Sequence, residues 1–463
     1  MKNDSATARH LQFSDIEAML AHALRHHRAG RLVEAERIYH QILAIDAQQS
    51  DSLHLLGMVA YQAGRHDTAV GLIRKAISIN GWQAAYHSNL GTVLQAQGKL
   101  EEAATGYKQA LFLQPNLAEV HTNLGNIFQA LDKLDQAVAS HERALALKPY
   151  LPEAHYNLGL AQLLKGNFAS GWPNLEWRWH TKDHETPMRN YPQLLWTGEK
   201  LTSGRILIWG EQGVGDEIMF AGLIPEVIRR GNCCVLDCDC RLQPLFARSF
   251  PAIEVVPRYD ATYTPGPEIV AHLPSGSLPN LLRKSDLDFA ATTSPYLFAD
   301  PVARQRLRER YADGRRMIGL AWHTTNRKSG ADRSIDLAQF TPLFEKTDIH
   351  WISLQYGSHD ELESQAASAR VPILIDGEVD QLSDIDGFAA QVAAMDMVIT
   401  IDNSTAHLAG ALGVPTWVML PFARDWRWFQ ARADSPWYPA LRLFRQPKRG
   451  DWQSVLQQMQ QEL

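Results

Sequence analysis

Two rhythms of apolar residues divide the chain. Over the first third, Leu56-Gly57, Leu90-Gly91, Leu124-Gly125 and Leu158-Gly159 return every 34 residues, with Ala35, Ala69, Ala103 and Ala137 in step. Glycines suited to turns follow the same period at Gly30, Gly64 and Gly98, and closing prolines stand at Pro115 and Pro149. Small residues at a fixed helical spacing mark places where paired helices cross too closely for a larger side chain. The pattern therefore predicts stacked helix-turn-helix units that share one continuous core. Beyond Arg205 the rhythm changes to short apolar runs at 206–209, 233–237, 269–273, 318–322, 351–354, 397–401 and 416–420, separated by helical stretches. That alternation predicts parallel sheets with crossover helices. A basic helical stretch, 301–316, splits the run into comparable halves, and 451–463 reads as a short terminal helix.

The 34-residue period and its Leu-Gly, Ala and Pro positions match the tetratricopeptide repeat (TPR). Four repeats run from about Asp15 to Leu151, followed by a degenerate fifth. The fifth reads G-N-F-A-S-G-W-P-N-L-E-W-R-W from Gly166. A solvent-facing cap would be polar there, so Trp172, Trp177 and Trp179 are expected to pack on the domain that follows. A second ladder, Asn89, Asn123 and Asn157, precedes the Leu-Gly pairs on the first helix of each repeat. Primary amides both donate and accept, which suits the backbone of an extended peptide acceptor. Asparagine is also common at this repeat position, and the ladder has that plainer reading too.

The α/β half carries three candidate constellations. The first is 205–222, R-I-L-I-W-G-E-Q-G-V-G-D-E-I-M-F-A-G, read as strand, glycine loop and helix at the carboxyl edge of a sheet, where open α/β sheets bind ligands. Its spacing, G-x-x-G-x-G, is not the dinucleotide fingerprint. Asp216 falls where a helix N-cap belongs, and is either that cap or a general base facing a cleft, with Glu217 as the fallback. The second is I-T-I-D-N-S-T-A-H, where Asp402, Asn403, Ser404 and Thr405 are capping types and His407 lies one turn inside. The free amides of such a helix make an anion site, although a well-capped helix with a core-edge histidine would read the same way. The third is the loop holding His323, Thr324, Arg327 and Lys328, with Arg333 close behind, either a phosphate clamp or a solvated surface loop. A helix dipole is too weak to stabilise a departing diphosphate alone, so these cations are needed. No carboxylate cluster with metal spacing accompanies them, and no metal or cofactor is expected.

Composition narrows the partners. The 463 residues carry a net charge of −6, which argues against a broad nucleic-acid surface. No signal peptide or run of eighteen apolar residues is visible, so a cytoplasmic protein without a transmembrane segment is expected. The four cysteines, Cys233, Cys234, Cys238 and Cys240, are read as part of a reduced, partly buried strand in preference to a metal site.

Taken together, G-E-Q-G-V-G-D-E, R-S-I-D-L, W-I-S-L-Q, M-D-M-V-I-T-I-D-N-S-T-A-H-L-A-G-A-L-G-V-P and P-F-A-R-D-W-R-W-F…S-P-W-Y-P resemble bacterial TPR glycosyltransferases. Their catalytic part is similar to the heptosyltransferases of glycosyltransferase family 9. The resemblance covers nearly the whole chain and implies an α-solenoid followed by a GT-B fold, two Rossmann-like domains facing a cleft. The implied domains are 1–186 for the repeats, 187–308 for the acceptor side and 309–463 for the nucleotide-sugar side. It implies metal-independent transfer of a sugar with inversion, Asp216 as base and Asp402, Ser404, Thr405 and His407 on the donor, with Lys328 as the loop lysine. The implied acceptor is a protein hydroxyl, flagellin or another surface protein, held by the repeats. A glycan or lipopolysaccharide acceptor is the alternative, and a non-enzymatic TPR adaptor is the rival of another class.

Overall fold

The computed structural model describes the chain except residues 1–2, 183, 185, 259–263, 293 and 327–329, with 3–14 described as helical backbone only. By its internal contacts the chain forms two compact units, Met1–Leu158 and Gly159–Leu463.

The first unit is a series of antiparallel helix pairs: α1 (Asn3–Arg28) with α2 (Leu32–Ile45), α3 (Ser50–Gln62) with α4 (His66–Ile79), α5 (Ala84–Ala96) with α6 (Leu100–Leu113), and α7 (Ala118–Ala130) with α8 (Leu134–Leu147). The periodic glycines stand where the two helices of a pair cross. A β-carbon at Gly57 would come within 2.7 Å of Ile73, at Gly91 within 2.9 Å of Tyr107, and at Gly125 within 2.5 Å of the His141 ring. Ile73, Tyr107 and His141 are themselves 34 residues apart, so each glycine admits the same knob from the second helix. Left-handed backbone ends the first helix of successive pairs, at Gly30, Gly64 and Gly98, and Asp132 takes the place of glycine in the next repeat with φ 58°. A fifth pair, α9 (Pro152–Leu164) and α10 (Phe168–Leu175), carries the pattern on.

In the second unit the sequence alternation yields two all-parallel sheets. The first contains β1 (Leu194–Leu195), β2 (Arg205–Trp209), β3 (Cys234–Cys238), β4 (Glu254–Pro257) and β5 (Ile269–Pro274) in the order β1-β5-β2-β3-β4. The second contains β6 (Arg316–Leu320), β7 (Ile349–Ser353), β8 (Ile373–Leu374), β9 (Met397–Ile401), β10 (Thr416–Leu420) and β11 (Leu441–Arg445) in the order β11-β10-β9-β6-β7-β8. The inner strands β2, β3 and β9 are buried almost throughout, which is why they read as unbroken apolar runs. The edge strands β1, β4, β8 and β11 carry no such run, and sequence periodicity missed all of them.

Aromatic residues of the fifth helix pair are built into this unit. The Trp172 indole donates to the Arg283 carbonyl at 2.6 Å and meets Trp426 edge-on at 5.3 Å. Trp179 packs on Trp209 of β2 at 5.6 Å between ring centroids. Arg178, 1% exposed, is paired to the buried Glu211 at 2.8 Å and donates to Ser277 Oγ at 2.9 Å. The cysteines divide by place: Cys234 and Cys238 are buried on β3, while Cys233 and Cys240, outside the strand, are exposed. Burial pushes the Cys234 thiol up to about 12. Among the described residues, no group of three or more His, Cys, Asp or Glu could hold a metal ion, and no helix is long and apolar enough to cross a membrane.

Candidate functional site

A cavity of about 260 Å³ opens where the helices Val214–Ala221 and Ser404–Ala411 begin, at the carboxyl ends of β2 and β9. Gly215 and Asp216 line it from the first sheet, and Arg333, Asp402, Ser404 and Arg427 from the second.

The first wall differs from its sequence reading in its cap. The N-cap of the Val214–Ala221 helix is Gly213, and Asp216 stands at the third helical position, its Oδ2 reaching back to accept from the Gly213 amide at 3.1 Å. The left-handed residue of the loop is Gln212, φ 62°, and none of the glycines. Gly210 and Gly215 are required for space: a β-carbon would meet the Glu217 carboxylate at 2.6 Å in one case and His407 at 3.1 Å in the other. Glu217 points into the protein, where it pairs with Arg258 and accepts from the Asp239 amide at 2.8 Å. It is bound structurally and does not line the cavity.

On the second wall Asn403 is the N-cap, its Oδ1 accepting from the Ala406 amide at 3.2 Å and from Thr400 Oγ1 at 3.0 Å. Its Nδ2 is buried without a partner among the described residues. Asp402 accepts from the Trp428 indole at 2.7 Å and lies 3.1 Å from Arg333. Burial raises its pKa, an effect that the nearby Arg333 only partly offsets. His407 stacks on Trp428 and is 2.8 Å from the Tyr438 hydroxyl. Burial, with Arg427 adding to it, brings His407 down to about 4, so the ring is neutral at pH 7. Thr405 is buried in the helix and Ser404 faces the cavity.

The charges form one chain. Arg427 bridges Asp216 and Asp425, the latter at 2.7 Å, and Arg333 lies 3.6 Å from Asp425. Burial would lower the Arg427 pKa, but Asp216 and Asp425 more than reverse it. Burial likewise pushes Asp425 up and the two arginines outweigh it, leaving a lowered value. Arg427 and Asp425 were missed from the sequence as site residues, although D-W-R-W was noted; an arginine between two tryptophans carries no spacing signal.

The remaining candidates disperse. Thr324 and Asn326 line the cavity, while His323 lines a neighbouring one of about 510 Å³ with Trp322 and Ser334, its amide held by Gln355 at 2.8 Å. Arg327 and Lys328 lie outside the described residues. In the first unit Asn89, Asn123 and Asn157 are half-buried on α5, α7 and α9, and Asn89 already donates to His54 Nε2 at 2.8 Å. That ring stacks on Tyr86 at 4.5 Å and is held neutral by burial, its pKa lowered to about 4. At least one rung of the asparagine ladder is therefore engaged within the repeats.

Tetratricopeptide-repeat family models match residues 16–41 and 51–75, and TPR repeat models match 92–132 and 125–166. The chain is 30% identical over 321 residues to Protein FlbA of Caulobacter vibrioides, an alignment covering 64% of this chain. It spans 52% of that relative's length. Among solved structures it is similar to MamA, 21% identical with a TM-score of 0.32, covering 34% of this chain and 91% of that one. It is also similar to pilF of Pseudomonas aeruginosa, 21% identical with a TM-score of 0.34, covering 36% of this chain and 76% of that one.

Proposed function

We propose that this tetratricopeptide-repeat protein is a metal-independent, inverting glycosyltransferase of GT-B type, which moves a sugar from a nucleotide donor to an acceptor hydroxyl. The observation that carries the reading is the shared cavity: a carboxylate, Asp216, on one wall opposes Arg333, Arg427 and the amide-rich start of the Ser404–Ala411 helix on the other. Phosphate oxygens suit the second wall, since Asn403 Nδ2 and the helix amides donate and the arginines bring charge. In the free protein Arg427 is held by Asp216 and Asp425. A diphosphate competes for that guanidinium, and as it draws Arg427 away Asp216 is released to act as base. The acceptor oxygen then bonds to the anomeric carbon, the bond to the diphosphate breaks with inversion, and the acceptor proton passes to Asp216. The acceptor is a protein segment presented by the repeats, with Asn123 and Asn157 as the amides to test first.

Incubation with a panel of nucleotide sugars should give slow donor hydrolysis, and Asp216→Asn should abolish transfer while keeping donor binding. Undiminished turnover in that variant removes Asp216 as base. The rival is a TPR adaptor, favoured by one observation: the Asp216 carboxylate is already neutralised by Arg427. Failure of every nucleoside diphosphate to bind would select the adaptor.

A further inference from the structure

His22 and His26 lie four residues apart on α1, so their rings share one face of the helix, and their Nε2 atoms are 3.0 Å apart. The ring planes are tilted by 60° with centroids 4.7 Å apart, so two nitrogens meet and the faces do not stack. Arg31 settles where the hydrogens are. Its Nε can only donate and is 2.9 Å from His26 Nδ1, so that ring nitrogen carries no hydrogen. The His26 ring is therefore neutral, its one hydrogen is on Nε2, and His22 Nε2 must accept it. A single proton holds together two nitrogens aimed at the same point. His27, next in the chain, takes no part: its Nε2 is 3.1 Å from Gln62 Oε1 and its Nδ1 3.4 Å from the Tyr39 hydroxyl.

We propose that His22 and His26 form a two-imidazole site for a divalent transition-metal ion, with Arg31 as its competitor. For nitrogen–metal bonds of about 2.0–2.1 Å, a 3.0 Å separation subtends an angle of about 95° at the ion. That is close to the angle between neighbouring ligands in square-planar or octahedral coordination and short of the tetrahedral one, which ranks copper(II) and nickel(II) ahead of zinc. Among the described residues no third His, Cys, Asp or Glu completes a group, so water fills the remaining positions. The ion takes the place of the shared proton. That hydrogen passes to His26 Nδ1, the Nε2 lone pairs of both rings turn to the metal, and the Arg31 bond is given up because a protonated Nδ1 cannot accept. Arg31 is the residue that opens α2, so occupation of the site is felt at the joint of the first helix pair. The site stands apart from the glycosyltransferase reading and does not depend on it.

Titration calorimetry of the full, untagged chain with nickel chloride tests the site. The tightest nickel binding should be lost in His22→Ala and in His26→Ala, and kept in His40→Ala, which removes an exposed histidine of α2. No binding by the wild-type chain, or binding that survives both of the first two substitutions, overturns the site. Zinc chloride should bind more weakly than nickel, and the reverse order overturns the right-angle geometry. Arg31→Ala leaves both ligands in place and should tighten nickel binding by about tenfold, the worth of the bond that no longer has to break. Arg25→Ala takes away a neighbouring charge without that bond and should act less. Equal gains from the two arginines overturn Arg31 as the competitor.

Discussion

The loops after β2 and β9 follow one plan, a buried strand running into a helix at the edge of a parallel sheet, and they satisfy themselves to different degrees. After β2, Asp216 turns back to its own helix end and Glu217 is bound inside by Arg258 and Asp239. After β9, Asn403 caps with its oxygen alone, leaving Nδ2 without a partner among the described residues. A helix start whose polar groups are already used is closed on itself, and one with a polar atom left over still has hydrogen-bonding capacity to give. The first wall therefore uses its acidic groups within its own joint, and the second wall keeps a donor to spare.

The sharpest way to break this contrast is to remove the cation joining the two walls. Arg427→Met leaves Asp216 and Asp425 facing each other in a mostly buried setting, and denaturant unfolding should show a loss of about 3–5 kcal/mol. An unchanged midpoint would mean that the charges are not coupled. Acid comes next. His407 has a folded pKa of about 4 against an unfolded value near 6.5, so the unfolded chain binds more protons between these limits. Stability should be constant above about pH 6.5 and fall as the pH drops toward 4, by on the order of 3 kcal/mol for this group. His141, with neither ring nitrogen bonded, and His54 behave alike in the repeats, where His141→Leu should flatten the acid limb of unfolding.

Smaller effects sharpen the same comparison. At Gly410 a β-carbon would meet the Tyr438 ring at 2.5 Å, so Gly410→Ala should cost about 1–3 kcal/mol by overpacking. At Gly213 the nearest atom is 3.6 Å away, and Gly213→Ala should leave the melting temperature nearly unchanged. Asn403→Ala removes a cap worth about 1 kcal/mol, whereas Asp216→Asn keeps an acceptor for the Gly213 amide but gives up the ion pair with Arg427 and should cost more.

The repeats were legible because their signal recurs: one glycine opposite one knob, three times over. The inner strands were legible because burial on both faces leaves an apolar run. The edge strands were not, since β1 and β8 are two residues long and β11, L-R-L-F-R, mixes arginine into its run. The site was half legible. Capping types before a helix mark Asp402 to Ser404, and glycines mark the loop before Asp216. Nothing local says that Arg427, some two hundred residues after Asp216, will bind it, because that pairing depends on how two sheets meet. His323 was misplaced for the same reason: its neighbour Thr324 lines the cavity, and the turn of the loop sends His323 to another one.

The fifth helix pair bears on how the protein can be dissected. A fragment starting at Pro187 would lack the Arg178 guanidinium, leaving the fully enclosed Glu211 as an uncompensated charge, and would strip Trp172 from its place beside Trp426. Scissors belong upstream, in the short turn ahead of Pro152, where a shortened polypeptide keeps its own lining and its catalytic competence can be judged on fair terms.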